Sequence, residues 1–327
     1  MKNKIVAFAF FGVIFLLLSL ETMAAPQSLS ISPPVIAISA IPPADVSAQF
    51  WINNLEKEPV EIQIILRPFT ATDKKNGEVE SVESNQLSIE KTELLNKIRI
   101  YDGEKALEGN IILAPKQKKK LNLRVNIPEN YTSLDLYFSI IFLSLPKNDS
   151  KFSHSQISQG IASNVLLSIV RNNKIQAEIS RFDSKTFFND SPIEFDLEIT
   201  NKGSSFISPQ GNITIKNIFG KTVGRIKLDS VNILSNSSRL MSNYNEQENK
   251  IFNSSSRSNE TKIYLPKRFI LGYYTAELNI SLSDNSPTIS KSLSFIAFPV
   301  KYAIIVLIGL FATLTLAKKV ARKLKNR

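Results

Sequence analysis

The 327-residue sequence contains no cysteine and a single histidine. The missing cysteine excludes disulfide staples, thiolate chemistry and sulfur-ligated metals. One histidine, His154 in "KFSHSQ", excludes a histidine-rich zinc site, and a lone histidine in a serine-rich loop reads as solvated. Tryptophan is equally scarce, with Trp51 alone. Helical spacing is almost absent between the chain ends; only "IEKTELLNKI" at 89–98 shows it briefly. Acidic residues are scattered, with no calcium-loop pattern. "SLPK" at 144–147 spells Ser-x-x-Lys, but that spacing needs a helix, and here it ends a strand pattern and contains Pro146. "FGKTVGR" at 219–225 lacks the glycine spacing of a phosphate loop. No acid, base and nucleophile converge, so the sequence reads as non-catalytic, with no cofactor.

What is present starts at the ends. Lys2 and Lys4 precede an uncharged apolar run, Ile5 to Leu20, with small residues Thr22 and Ala24 at a cleavage position. That layout predicts a signal peptide over 1–24, the alternative being an uncleaved anchor. At the other end no residue from Tyr302 to Ala317 is charged. Sixteen residues of helix span about 24 Å, against about 30 Å of hydrocarbon. The apolar "FIAF" at 295–298 is expected to supply the difference, with Lys301 snorkelling. Lys318, Lys319, Arg322, Lys323, Lys325 and Arg327 follow at once, and cationic flanks stay cytoplasmic. The expectation is a transmembrane helix over 298–317 and a basic cytoplasmic tail over 318–327. That places the chain in the cell membrane, single-pass, with its ectodomain outside and membrane lipid as one partner.

The formal charge of +11 then loses most of its meaning. Residues 1–25 carry +1 and residues 301–327 carry +7, which leaves +3 for everything between. A +3 ectodomain of that size is no polyanion binder on composition, so no nucleic acid is expected. An exported chain without cysteine leans bacterial.

Between the ends the hydrophobic period is two. "VSAQFWI" at 46–52 and "VEIQIILRP" at 60–68 alternate around the polar "NNLEKEP", which predicts an antiparallel hairpin. Leu121, Leu123, Val125 and Ile127 alternate with polar residues, and Pro128 stops that strand. "LDLYFSIIFLSLP" at 134–146 is apolar on both faces, as a central strand is, and "NVLLSIV" at 164–170 is another. "RNNKI" at 171–175 reads as a joint, after which "IEFDLEITN", "GNITIKNIFGKTVGRIKL", "GYYTAELNISLSD" and "KSLSFIAF" repeat the pattern. The predicted fold is all-β: two Ig-like β-sandwich domains in tandem, over 27–172 and 173–297, plus one C-terminal transmembrane helix.

Two candidate binding features stand out. "KQKKK" places Lys116, Lys118, Lys119 and Lys120 where a turn enters a strand. The plain reading is a solvated edge that discourages edge pairing; the alternative is a phosphate or wall-polymer patch. Trp51 alternates with Phe50 and Ile52, so it faces outward if they face the core. Ile65 breaks the polar face of the following strand, and the two are expected to form one exposed apolar patch.

"LSISPPVIAI", "FWINNLEKEPVEIQI", "IILAPKQKKKLNLRVNIPEN", "LYFSIIFLSLP", "NILSNSSR" and "LGYYTAELNIS", in that order, resemble the WxL-interacting proteins of bacterial cell surfaces. The resemblance implies a first domain that binds peptidoglycan and a second that binds an exported surface protein. It maps no single residue onto a wall-binding position. The leading expectation is a cell-surface binding or scaffold protein. The alternative is an Ig-like chaperone or assembly factor for secreted or pilus-like proteins, served by the alternating run 121–127 and the apolar run 134–145. Against it, a diffusing chaperone has no use for a membrane span.

Overall fold

The computed structural model describes residues 28–145, 159–170, 175–190, 192–243, 262–265, 271–282 and 288–325. The signal-peptide expectation, His154, Lys147, most of the predicted joint and Arg327 lie outside the described residues.

The first part of the chain runs β1 (Leu29–Ser32), β2 (Val35–Ala40), β3 (Ala44–Asn54), β4 (Val60–Ala71), β5 (Val79–Ser81), α1 (Ile89–Lys97), β6 (Arg99–Asp102), β7 (Lys105–Ala106), β8 (Asn110–Leu113), β9 (Lys118–Ile127), β10 (Leu136–Ser144) and β11 (Gly160–Ile169). The rest runs β12 (Ala177–Ser184), β13 (Phe187–Phe188), β14 (Ile193–Asn201), β15 (Gln210–Asn217), β16 (Thr222–Lys227), β17 (Ser237–Leu240), β18 (Ile263–Leu265), β19 (Gly272–Ser281), β20 (Thr288–Ala297) and α2 (Val300–Lys325).

Four sheets result. One has the order β1-β3-β9-β6-β7, and its facing sheet the order β2-β11-β10-β4-β5, with β8 also on β4. The second pair is β12-β14-β17, with β18 on β14, against β13-β20-β19-β15-β16. Period-two burial explains each pairing. Phe50 and Ile52 of β3 and Leu121, Leu123 and Val125 of β9 point at Phe138, Ile140 and Phe142 of β10. All are fully buried, and the Phe50 and Phe142 rings meet across the sandwich at 5.9 Å. The second core joins Phe195, Leu197 and Ile199 of β14 to Leu278 and Ile280 of β19, with Phe295 of β20 beside Phe195 at 6.0 Å. Each such side chain contributes about 1.5–3 kcal/mol through burial.

Two expectations fail here. β3 and β4 are not a hairpin, since β3 pairs with β1 and β9 while β4 pairs with β10, β5 and β8. The polar stretch between them is an arch from one sheet to the other. A hairpin turn and an arch share one sequence signature, apolar alternation either side of polar residues. The arch is fixed by Asn54, whose Nδ2 donates to the carbonyls of Glu58, Leu113 and Ala114 at 2.8, 3.2 and 2.9 Å.

The transmembrane helix also fails. Among the described residues no helix is long and apolar enough to cross a membrane. The reason is where "FIAF" goes. Phe295, Ile296 and Ala297 are the last residues of β20, paired with β19 and β13, and the Phe295 ring is core. Pro299 separates them from α2, so they cannot lengthen it. Lys301 does not snorkel either: its Nζ pairs with Asp190 at 3.1 Å. What remains is the sixteen-residue uncharged run, about 24 Å long and too short. Single-pass anchoring in the cell membrane, with an outer ectodomain and a cytoplasmic tail, does not hold.

Candidate functional site

The predicted apolar patch divides between two sheets. Trp51 lies half-buried on the outer face of its sheet, opposite Ser32 of β1 and Lys120 of β9. Ile65 lies on β4 in the other sheet, opposite Ile141. The arch separates them, so they form no common surface. Trp51 instead meets the lysine run: Lys118 Nζ sits 5.7 Å from its ring centroid. Lys119, on the other face of β9, pairs with Asp102 at 2.5 Å. Lys116 occupies the turn with φ 57° and donates to the Leu55 carbonyl. Lys120 stays exposed. Most of the run is thus engaged within the chain.

Lys318, Lys319 and Arg322 are exposed along the end of α2, and Lys323 and Lys325 belong to the same helix. Their membrane-flanking role falls with the span. Ser144 of the Ser-x-x-Lys motif ends β10, and its hydroxyl accepts the Gln159 N–H at 2.9 Å. Among the described residues no group of three or more His, Asp and Glu is placed to hold a metal ion.

The edge of the first sandwich holds a feature the sequence reading missed. β11 pairs with β10 over Gly160–Leu167 but with β2 only from Asn164 onward. The Gln159 carbonyl accepts the Ser144 N–H at 2.8 Å, so odd-numbered residues turn their backbone toward β10. Asn164 and Val170 donate to Pro34 and Ala40 at 2.9 and 2.8 Å, so even-numbered residues turn toward β2. Gly160 and Ala162 therefore direct N–H and C=O to a side where β2, which runs parallel to β11, has not yet begun. Ile161 is half-buried at the margin of the core there. Residues 159–170 carry no charge, and neither do residues 28–44 of the adjoining β1 and β2. Other edges are blunted: β7 by Lys105, β12 by Glu178 and Arg181, β16 by Arg225 and Lys227. The Ser28 hydroxyl and N–H, bonded to Gln159 Oε1 at 2.7 and 3.2 Å, tie the start of β1 across this opening, and the Ser163 hydroxyl donates to the Pro33 carbonyl at 2.8 Å beside it.

The two sandwiches are joined through a buried carboxylate. Asp135 is 3% exposed and accepts five hydrogen bonds: Tyr137 Oη at 2.7 Å, Ser168 Oγ at 3.0 Å, Ile169 N at 3.2 Å, Ser205 Oγ at 3.0 Å and Phe206 N at 2.9 Å. Three come from the first sandwich and two from the second. Burial, with the Asp135 charge beside it, pushes the Tyr137 phenol well above its usual range. The phenol also accepts the Ser235 N–H at 3.3 Å. Phe69, Leu166 and Leu234 pack into an apolar joint beside it. Next to that joint the turn between β4 and β5 reaches across: Lys75 pairs with Glu198 at 2.8 Å, and its carbonyl accepts the Leu240 N–H at 2.8 Å. Gly77, at φ +84°, lies against the Arg239 guanidinium where a Cβ would collide. Two cavities, of about 630 and 320 Å³, flank this turn.

Among solved structures the chain is similar to several described as chaperones. The class 5 fimbriae chaperone CfaA aligns with TM-score 0.39 and 13% identity, over 81% of this chain and 98% of its own. The E. coli chaperone DraB gives 0.35 and 13%, over 82% and 96%. A CsuC–CsuE chaperone–tip adhesion subunit pre-assembly complex of Acinetobacter baumannii gives 0.34 and 15%, over 81% of this chain and 98% of the aligned one. At these identities and TM-scores the likeness carries no argument, and the fold stands on its own strand pairing. No protein-family model matches the sequence, and no curated protein matches it.

Proposed function

We propose that the chain is a non-catalytic assembly or chaperone protein that takes an extended segment of an exported partner as an added strand on β11. One observation carries this: an uncharged strand whose first residues offer backbone groups to a side where, among the described residues, no strand pairs with them, beside a half-buried isoleucine. Strand addition uses such an edge, with main-chain bonds giving affinity and alternate side chains giving specificity. The objection that an assembly factor needs no membrane span falls with the span. All three structures named above are described as chaperones, CfaA as one of fimbriae and the CsuC–CsuE complex as one of pili, which agrees with this reading without carrying it.

Ala162→Pro tests it. The N–H removed faces away from β10, so a proline is tolerated there as on any edge strand. Its ring blocks an incoming strand. A photo-crosslinking residue at Gly160 should give adducts with partner protein in cells, and Ala162→Pro should reduce them at least tenfold. The thermal midpoint should stay within a few degrees, as expected of a surface change of about 0.5 kcal/mol. Equal adducts from Gly160 and from a control position at Lys105, or adducts unchanged by the proline, would sink the proposal.

The outer face of the β1-β3-β9 sheet favours a second reading, contact with peptidoglycan or another wall polymer. An aromatic ring with Lys118 over it and Lys120 alongside offers a stacking platform and cations together. Trp51→Ala should cost about 1–2 kcal/mol of stability, from the lost cation–π pair and the partly buried ring together. It should reduce retention on isolated wall at least tenfold. Retention that survives Trp51→Ala and the pair Lys118→Gln, Lys120→Gln, at low and high salt alike, removes this reading.

A further inference from the structure

We propose that the larger cavity between the sandwiches binds a small hydroxylated oxyanion, such as a sugar acid or sugar phosphate, with Lys91 as its anchoring cation. This site is separate from the β11 edge and does not depend on the strand-addition reading.

Lys91 is half-buried on α1 and lines the cavity with Leu87 and Leu134. Among the described residues its ammonium has neither an ion pair nor a hydrogen bond; only its backbone N–H is engaged, with Ser88 Oγ at 3.4 Å. A cation held out of water without a counter-ion is costly, and burial holds its pKa below the usual lysine range. Three acids are candidates to neutralise it. Asp73 lines the same cavity but makes no ion pair with Lys91 among the described residues. Asp135 exerts a Coulombic pull on it, but both its oxygens are taken by Tyr137, Ser168, Ile169, Ser205 and Phe206. Glu90, next to it in sequence, accepts from Thr132 and Ser133, which hold its carboxyl down to about 2. The other lysine on the wall, Lys75, is committed to Glu198. Among the described residues Lys91 is left as a cavity cation without a contact ion pair, with the Asp135 charge acting on it only from a distance.

Size and lining give the rest of the ligand. A volume of about 630 Å³ lies within the range that takes one or two small rings. Thr70, Ser204 and Asn236 on the wall keep hydroxyl or amide oxygens without a partner among the described residues, while the Phe69 and Tyr137 rings behind them are stacked on each other at 6.1 Å. Hydroxyl and amide groups that fix orientation suit a polyol, and the ammonium selects one bearing a negative charge.

Calorimetric titration of the full chain with glucuronate, glucose phosphate and neutral glucose tests this. At least one of the two acids should bind ten times more tightly than glucose, and which of them does so tells carboxylate from phosphate. Binding should also raise the Lys91 pKa, followed by NMR of its terminal methylene. Lys91→Met should remove the preference for acids while keeping the thermal midpoint, because no internal bond is lost. Lys91→Arg should retain it. Equal affinity for glucose and both acids, or an acid preference that survives Lys91→Met, would overturn the proposal.

Discussion

Asn201→Asp should destabilise the protein by about 4 kcal/mol or more at neutral pH, although it changes one atom of one side chain. Asn201 is fully buried at the end of β14, and its Nδ2 donates to the carbonyls of Ser205, Ile233 and Leu234 at 2.8, 3.1 and 3.0 Å. Its Oδ1 accepts the Gly203 N–H at 2.9 Å. In the aspartate variant an anion faces three carbonyl oxygens with no proton between them. Asn54 does the same work in the first sandwich, where Oδ1 accepts the Glu56 N–H at 2.8 Å, so Asn54→Asp should behave alike. The pH dependence has a definite sign. Burial among acceptors raises the new carboxyl's folded pKa above its unfolded value, so protonation favours the folded state. The deficit should shrink as pH falls through the folded pKa and be full at neutral pH. Urea melts at pH 4 and pH 7 check both statements. An Asn201→Asp protein as stable as its parent at neutral pH would show that the three carbonyls find other donors.

Asp135→Ala is the second large effect. It strips the acceptor from five donors at once, two of them backbone N–H groups of Ile169 and Phe206. Leaving buried donors unsatisfied costs about 1–3 kcal/mol each, so a total near 3–5 kcal/mol is expected after partial relaxation. Because the bonds come from both sandwiches, the loss should also uncouple them. Calorimetry should resolve one transition in the parent and two in the variant. Asp135→Asn, which keeps one acceptor oxygen, should fall between them. A single transition at the parental midpoint in the alanine variant would show that the apolar joint alone fixes the two halves.

The strands were legible in the sequence because their physics is local. Alternation at 121–127, 193–199 and 274–282 reports one buried face, and that face exists wherever the strand pairs. The pairing was not legible, since "NNLEKEP" fits an arch as well as a hairpin. The separation of Trp51 from Ile65 follows from that one ambiguity. The C-terminal helix was misjudged for a related reason. "FIAF" has the same composition in a strand as in a membrane, and only its pairing with β19 and β13 decides. Asp135 left a faint trace, an acid opening the apolar run "LDLYFSIIF", where a charge has to be either exposed or heavily bonded. Asn54 and Asn201 left another, since each closes an alternating strand on the buried phase. The open side of β11 left none, because it depends on where β2 starts.

The Asp135 junction also sets an order in time. The chain emerges from its N-terminus, and Asp135 can close its bonds to Tyr137, Ser168 and Ile169 as soon as β11 exists. Its bonds to Ser205 and Phe206 wait for residues 70 and 71 positions further on, and the Tyr137 bond to Ser235 for 98. During that interval Phe69 and Leu166 have no Leu234 to cover them, and the uncharged start of β11 stands open on the same half. The nascent first sandwich is therefore at its most adhesive before its second half arrives, and rapid completion of the chain protects it as much as any residue does.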